Sequence, residues 1–357
     1  MMLFDPLPLS RGPALRNRFA LAPLTNLQSH DDGTLSGDEF RWLTLRAQGG
    51  FGLVSTCAAH VQARGRGFRG QLGIFADFHL EGLSRLATAI KSAGSVAVVQ
   101  LHHAGRRSPH ELIEGLPAAP SDDSETGARA LSPGEVEQLA EDFVAAALRA
   151  ERAGFDGVEL HGAHGYVICQ FLSPQFNRRE DRYGGTPENR ARLLLDIVAG
   201  VRARCRPGFI VGVRLSPERF GLELAEIRAL AQRLMQAGLI EYLDLSLWDV
   251  NKEAEEEAHR GRSLLSHFTG LERGQVRLGA AGKINSGPAA ARALATGLDF
   301  VIIGRAAILH HDFPQRVRAD PSFMPVQTPV SADYLRSEGL GEAFIGYMRT
   351  WEAFVSA

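Results

Sequence analysis

The sequence has little cysteine and no closely spaced cysteine pair. Its 357 residues include three cysteines, Cys57, Cys169 and Cys205, which lie far apart. An odd number of scattered cysteines fits a reducing compartment better than a disulfide framework. Because no C-x-x-C pair occurs, a zinc or iron–sulfur site held by cysteine is not expected. We therefore predict a cytoplasmic protein.

Long apolar runs and blocks of one charge are also missing. No stretch reaches the ~18–20 apolar residues that a membrane-spanning helix requires. Residues 1–13 have neither the basic nor the apolar region of a signal peptide. Lysine and arginine number 39 against 41 aspartate and glutamate, for a net charge of −2, and no basic cluster suits nucleic acid. Neither a membrane nor a nucleic acid is an expected partner.

The apolar residues, 45% of the chain, occur in short runs that predict buried strands. The runs are rich in Val, Ile, Leu and Phe and lack strict polar alternation, as in parallel strands that are covered on both faces. Eight such candidate strands lie at 19–24, 51–56, 96–101, 157–162, 209–215, 242–247, 277–282 and 300–305.

The segments between these strands have the three- and four-residue apolar spacing of amphipathic helices. Eight alternating strand and helix units predict an α/β protein with a (β/α)8 TIM barrel in one domain, residues 1–320. A doubly wound open sheet is the main alternative, but no G-x-G-x-x-G follows the first strand. Residues 321–357 form a tail that we expect to pack on the barrel or on a neighbouring subunit.

Two connections are much longer than the others. They cover residues 102–131 after the third strand and residues 163–187 after the fourth. Loops longer than ~12–15 residues in a compact domain are commonly functional. Both would emerge at the carboxyl end of the barrel, where active sites of this fold lie.

Candidate site residues, most of them polar or glycine, lie at or just past the predicted carboxyl ends of most strands. In a closed barrel these positions converge on one mouth. The residues are Pro23, Leu24, Thr25, Ala59, Gln100, His103, His161, His164, Tyr166, Arg214, Gly282, Lys283, Gly304 and Arg305.

The stretch "HGAHGY" places His161 and His164 three positions apart at the end of the fourth strand, followed by Tyr166. Histidine serves as a metal ligand, as a packed residue or as a hydrogen-bond donor to a substrate, and the pair alone leaves all three open. A metal-dependent hydrolase would need a third protein ligand, for which Glu159 is the nearest carboxylate.

Arg214 stands on a strand that is otherwise apolar. A buried guanidinium needs an anion or several acceptors. It either forms a structural ion pair with Asp244 or Glu159, or faces a cofactor that becomes anionic on reduction.

Glycine and a cation follow each other at the ends of the seventh and eighth strands. Backbone N–H groups and positive charge would be brought to one place by two such pairs, Gly282 with Lys283 and Gly304 with Arg305. Barrels often bind phosphate there. Solvated turns are the alternative.

Together, "NRFALAPLTN", "VVQLHHAGR", "VGVRLSPE", "DFVIIGRAA" and residues 153–197 resemble the Old Yellow Enzyme family of FMN-dependent ene-reductases. The resemblance runs from near the start of the chain to the eighth strand. It implies an FMN-bearing barrel that takes hydride from NAD(P)H and reduces the C=C bond of an activated alkene, an α,β-unsaturated carbonyl or nitro compound.

The resemblance also implies residue roles. His161 and His164 would hold the carbonyl oxygen and Tyr166 would donate the proton. Residues beside the flavin ring would be Pro23, Leu24, Thr25, Ala59, Gln100 and Arg214, and the phosphate would be bound by Gly282, Lys283, Gly304 and Arg305. No metal ligand is implied.

Two features depart from the family pattern. Leu27 stands where family members with Cys at the position of Thr25 often have an aromatic residue. The tail contains Arg336, Arg349 and Trp351, any of which could enter a neighbour's site in a homodimer or larger oligomer.

Overall fold

Eight parallel strands form a closed barrel in the computed structural model, which describes residues 2–356. The strands of the chain are β1 (Phe19–Leu21), β2 (Leu53–His60), β3 (Val96–His102), β4 (Ala118–Ala119), β5 (Arg129–Ala130), β6 (Gly157–Gly162), β7 (Ile210–Leu215), β8 (Tyr242–Ser246), β9 (Arg277–Ala281) and β10 (Phe300–Ile303). The barrel order is β1, β2, β3, β6, β7, β8, β9, β10, and β10 pairs with β1. The predicted TIM barrel is confirmed, with all eight predicted strands present.

Helices alternate with the barrel strands. They are α1 (Gly37–Gln48), α2 (Leu80–Ser92), α3 (Pro133–Arg152), α4 (Val167–Leu172), α5 (Pro187–Arg190), α6 (Arg192–Arg204), α7 (Leu224–Ala237), α8 (Ser266–Thr269), α9 (Gly287–Ala295), α10 (Arg305–Leu309), α11 (Phe313–Ala319), α12 (Ala332–Ser337) and α13 (Glu342–Met348). α3 begins with a capping box between Ser132 and Glu135, and α7 ends at Gly238 in the left-handed conformation.

The lower part of the barrel interior is filled and therefore closed. Tyr242 and Phe300 pack edge to face across it, with ring centroids 5.7 Å apart. Glycines at 212 and 279 make room for them, because a Cβ at either position would collide with one of these rings. Residues 7–15 cover the amino ends of the strands through a bridge between Leu7 and Leu15. Only the carboxyl ends are left open.

The two long connections follow β3 and β6, as predicted. The first contains a small two-stranded sheet, β4 with β5, that the sequence analysis missed. The second contains the short helices α4 and α5. Both stand at the mouth of the barrel.

The tail packs on the barrel of its own chain. The ring of Phe344 in α13 lies 4.9 Å from that of Trp42 in α1, edge to face. The Tyr334 hydroxyl of α12 donates to the carbonyl of Leu309 at 2.8 Å. Within residues 2–356, no helix has the length and apolar character needed to cross a membrane.

Candidate active site

A cavity of about 390 Å³ occupies the carboxyl end of the barrel. Its walls include nearly all of the residues that the sequence analysis placed at the strand ends. These are Pro23, Leu24, Thr25, Gln100, His161, His164, Tyr166, Arg214, Gly282, Lys283, Gly304 and Arg305. His103, which was also on that list, is buried away from the cavity: its Nε2 donates to Gln62 Oε1 at 3.1 Å and its Nδ1 accepts from the backbone N–H of Gly105.

Ala59 does not line this cavity either. β2 extends past residue 56 to His60, so Ala59 lies within the strand and is completely buried. Successive residues of a strand face opposite sides, and a register shift between Ser55 and Ala58 sets which side each one takes. Ala58, which pairs with Gln100, is the residue that faces the cavity. The cavity wall therefore contains Ala58, one position before the predicted Ala59.

His161 and His164 converge at one side of the cavity. Nε2 of His161 lies 3.2 Å from Nδ1 of His164, and the ring of Tyr166 lies 5.3 Å from that of His161. The chain turns sharply here, with positive φ at His164 and Gly165, which brings the second imidazole back beside the first. Burial lowers the pKa of His164 to about 3 and that of His161 well below its ordinary value. Both imidazoles are therefore neutral, with one donor nitrogen each.

A metal-dependent hydrolase would need a third metal ligand beside His161 and His164, and none lies there among the described residues. In the described part of the chain, three potential ligand groups come together only at His311, Asp312 and Glu338. The carboxylate of Glu159 instead accepts a hydrogen bond from Gln100 Nε2 at 2.8 Å.

A layer of buried charge lies beneath the cavity. Nε of Arg214 is 3.0 Å from Oδ2 of Asp244, and both side chains are almost completely buried. Burial raises the pKa of Glu159 and raises that of Asp244 to about 7, while the charge of Arg214 opposes both shifts. One guanidinium thus faces two carboxyl groups. The two interpretations of Arg214 are compatible, since it pairs with Asp244 and also reaches the cavity.

The opposite end of the cavity is formed by glycines and cations. Backbone packs so closely at Gly282 that a Cβ there would lie 2.9 Å from the amide nitrogens of Asp249 and Val250. Lys283 has a φ of 49° and pairs with Asp249 at 3.2 Å. The guanidinium of Arg305 lies 5.3 Å from the centre of the Trp351 ring.

Apolar side chains that the sequence analysis did not assign form the rim. They are Phe68, Trp248, Tyr347 and Met348. Trp351 also lines the cavity of its own chain. Arg336 instead pairs with Asp333 and Glu342 on the tail, and neither it nor Arg349 nor Leu27 borders the cavity. Contacts of the tail with α1 place Tyr347, Met348 and Trp351, and no local pattern in the sequence predicts their position.

Ser246 is a further wall residue that was missed. It ends β8 and lies two positions after Asp244, so both face the interior. Strand periodicity could have found it, because Asp244 was already considered as a partner of Arg214.

The residues present fit a flat cofactor with an anionic tail. Arg214 supplies positive charge at one end, and Lys283 with Arg305 supplies it at the other. The amide oxygen of Gln100 has no partner among the described residues and remains able to accept a hydrogen bond.

Comparisons with known proteins agree with this geometry. The model of the NADH:flavin oxidoreductase / NADH oxidase family matches residues 2–321. A probable NADH-dependent flavin oxidoreductase of Bacillus subtilis is 38% identical over 327 residues, covering 88% of this chain and 87% of the relative. An NADPH dehydrogenase of Bacillus licheniformis is 33% identical over 334 residues, covering 93% and 98%. The structure of the old yellow enzyme homologue from Zymomonas mobilis is similar with a TM-score of 0.80 and 28% identity, covering 94% and 96%.

The family match spans the barrel, and the relatives are matched over most of their own length. The chain therefore belongs to the NADH:flavin oxidoreductase / NADH oxidase family, as an Old Yellow Enzyme-like oxidoreductase with FMN as cofactor and NAD(P)H as reductant.

Proposed function

We propose that this enzyme reduces the C=C bond of α,β-unsaturated carbonyl or nitro compounds. The observation that carries the proposal is the convergence of His161 Nε2 and His164 Nδ1, 3.2 Å apart, beside the ring of Tyr166. Two neutral imidazole nitrogens that converge on one place can both donate to a single oxygen atom on which negative charge develops.

The histidine pair stabilises the oxygen of the substrate as the reaction proceeds. Addition of hydride to the β-carbon moves charge onto the carbonyl or nitro oxygen. Donors that are already oriented toward that oxygen bind the transition state better than the ground state, which accelerates the step. Because both rings are neutral, they donate hydrogen bonds without transferring a proton to the oxygen.

Tyr166 supplies the proton that the α-carbon needs. Its phenol is mostly buried, and burial raises its pKa above the ordinary value. The hydroxyl therefore holds its proton at neutral pH and can act as a general acid. The guanidinium of Arg107 lies 4.7 Å from the ring centre and donates to the carbonyl of His164 at 2.5 Å, which holds this turn in place.

The remaining wall residues would hold the cofactor. Pro23, Leu24, Thr25, Gln100 and Arg214 would contact the ring system, and Gly282, Lys283, Gly304 and Arg305 would bind the phosphate. FMN, when bound, supplies the hydride that it has received from NAD(P)H. The apolar rim at Phe68, Trp248, Tyr347, Met348 and Trp351 favours a substrate with an apolar body.

The test separates the two half-reactions of the holoenzyme by stopped-flow absorbance. With Tyr166→Phe, we expect NADPH to reduce the flavin as in the wild type, while reoxidation by 2-cyclohexenone slows on the order of 100-fold because the general acid is lost. Tyr334→Phe, which removes a phenol from the tail, serves as the matched control. Reoxidation at the wild-type rate in Tyr166→Phe would overturn the assignment of Tyr166. No oxidation of NAD(P)H by enones, maleimides or nitroalkenes would overturn the proposed function.

A further inference from the structure

The hydroxyl of Ser246 connects the histidine pair to the buried guanidinium. Its Oγ lies 2.7 Å from Nε2 of His164 and 3.3 Å from Nη2 of Arg214. These are its two hydrogen-bond contacts among the described residues. Ser246 is 8% exposed, so only a small part of its surface borders the open cavity.

The chemistry of the donors gives these contacts a direction. A guanidinium can only donate, so Ser246 Oγ accepts from Arg214. The hydroxyl then has one proton to place, and His164 Nε2 is the acceptor within reach. If His164 Nε2 carried a proton instead, the serine oxygen would accept twice and its own proton would have no partner within the protein. An unpaired buried donor is costly.

We propose that Ser246 is a positioning residue that fixes His164 in the Nδ1–H tautomer, so that this imidazole always presents a donor to the substrate oxygen. This inference rests on the proposed function for its catalytic meaning, because it deepens the role assigned to His164. The tautomer itself is a property of the protein alone.

The two histidines differ in this respect. Nδ1 of His161 is buried and has no hydrogen-bond partner in the described structure. In the absence of substrate, His161 Nε2 therefore accepts from His164 Nδ1–H, and no partner holds the proton of His161 on Nδ1. When a substrate oxygen lies between the rings, that proton is free to occupy Nε2, and His161 can donate as well. Ser246 thus makes one donor permanent and leaves the other adjustable.

The same contact ties the substrate donor to the cavity floor. Arg214 pairs with Asp244, and its donation to Ser246 polarises the hydroxyl toward His164. The chain of contacts runs Asp244, Arg214, Ser246, His164. The charge of Asp244 and Arg214 beneath the cavity is thereby coupled to the strength of the hydrogen bond that His164 donates to the substrate oxygen.

The experiment reads the tautomer by nitrogen NMR of the holoenzyme labelled with ¹⁵N-histidine, with the His164 signal identified by its loss in His164→Gln. We expect Nδ1 to be protonated in the wild type. In Ser246→Ala the signal shifts toward a mixture of tautomers, and Ser246→Thr restores it because the hydroxyl returns. A wild-type signal with Nε2 protonated would overturn the proposal, and so would a Ser246→Ala signal identical to wild type.

A neighbouring serine provides the matched control. Ser216 Oγ accepts from the backbone N–H of His164 at 3.0 Å and makes no hydrogen bond to the ring nitrogens. Ser216→Ala should therefore leave the tautomer unchanged. An equal shift in Ser216→Ala and Ser246→Ala would mean general loosening of the turn and would also overturn the proposal.

Stopped-flow kinetics give the second readout. The dissociation constant of 2-cyclohexenone from the reduced enzyme should rise at least about threefold in Ser246→Ala, because apparent affinity falls with the competent fraction, and should recover in Ser246→Thr. An unchanged dissociation constant in Ser246→Ala would overturn the proposed effect of Ser246 on substrate binding. If the wild type reduces no enone, the proposed function fails, whereas the tautomer measurement still decides what Ser246 does to His164.

Discussion

Burial determines the charge of the catalytic candidates. His161, His164 and Tyr166 all lie within the mouth of the barrel, where the surrounding protein buries most of each side chain. A low-dielectric environment favours the neutral form of each side chain, which lowers the pKa of an imidazole and raises that of a phenol. The three groups are therefore in their working protonation states over a wide pH range.

This predicts a flat pH profile for the oxidative half-reaction. His164 becomes charged only near a pH of about 3, and Tyr166 loses its proton only above the ordinary phenol value of 10.0. The rate of reoxidation by an enone should change less than about twofold between pH 5.0 and 6.0, because neither the two histidines nor Tyr166 titrates there and Asp244, with a pKa of about 7, remains largely protonated. Stopped-flow rates across this range provide the measurement. A several-fold rise, as an imidazole with the ordinary pKa of 6.5 would give, would contradict the burial of the histidines.

The buried carboxyl groups should make folding stability depend on pH. Since the pKa of Asp244 rises from 3.8 to about 7, the folded protein holds more protons than the unfolded chain between these values. Stability from this group is present below pH 4 and is lost as the pH rises to 7. Between pH 5 and pH 8, the free energy of unfolding of Asp244→Asn should therefore fall by about 1–3 kcal/mol less than that of the wild type. Denaturant unfolding at both pH values measures the difference, and parallel losses in the two proteins would contradict it.

At the scale of elements, strand periodicity predicted much of the site. Gln100, Arg214 and the glycine–cation ends were found because they stand where a buried strand stops. Ala58 was missed since a register shift in β2 reverses the side that residues face, and an irregularity of this kind has no clear signature in composition. The pairing of β4 with β5 was missed because two-residue strands carry no periodicity.

Helix α3 offers a test at the same scale. Ser132 caps its first turn and forms a reciprocal box with Glu135, so two backbone N–H groups depend on these side chains. Ser132→Ala should lower the free energy of unfolding by about 1 kcal/mol. Ser132→Thr, which keeps the hydroxyl, should stay near the wild type in the same denaturant titration. Equal stability of the alanine and threonine variants would show that the cap contributes little.

For the whole molecule, the tail completes the cavity within one chain. Trp351 borders the cavity that contains the histidine pair, and Phe344 holds α13 on α1. No sequence pattern could have decided between the chain's own barrel and a neighbour's, because docking depends on surfaces that form only after folding. The barrel itself was predictable since each strand and helix unit repeats the same local pattern.

This arrangement predicts the outcome of a subunit-mixing experiment. Trp351→Ala should raise the KM for an enone several-fold by removing part of the apolar wall. Trp351→Ala and Tyr166→Phe chains are then co-expressed with different tags, and any oligomer that carries both tags is isolated. Its activity should not exceed that of the two variants measured separately, because Trp351 and Tyr166 of one site come from the same chain. Recovery toward wild-type kcat/KM would instead mean that Trp351 serves a neighbouring site.

The positions of the tryptophans have a practical consequence. The chain contains three tryptophans, and two of them, Trp248 and Trp351, lie on the cavity wall while Trp42 lies behind it in α1. Indole emission overlaps the absorption of flavins, so an isoalloxazine in the cavity quenches nearby indoles by energy transfer. Intrinsic fluorescence therefore provides a built-in titration signal for cofactor occupancy, without a label or an added residue.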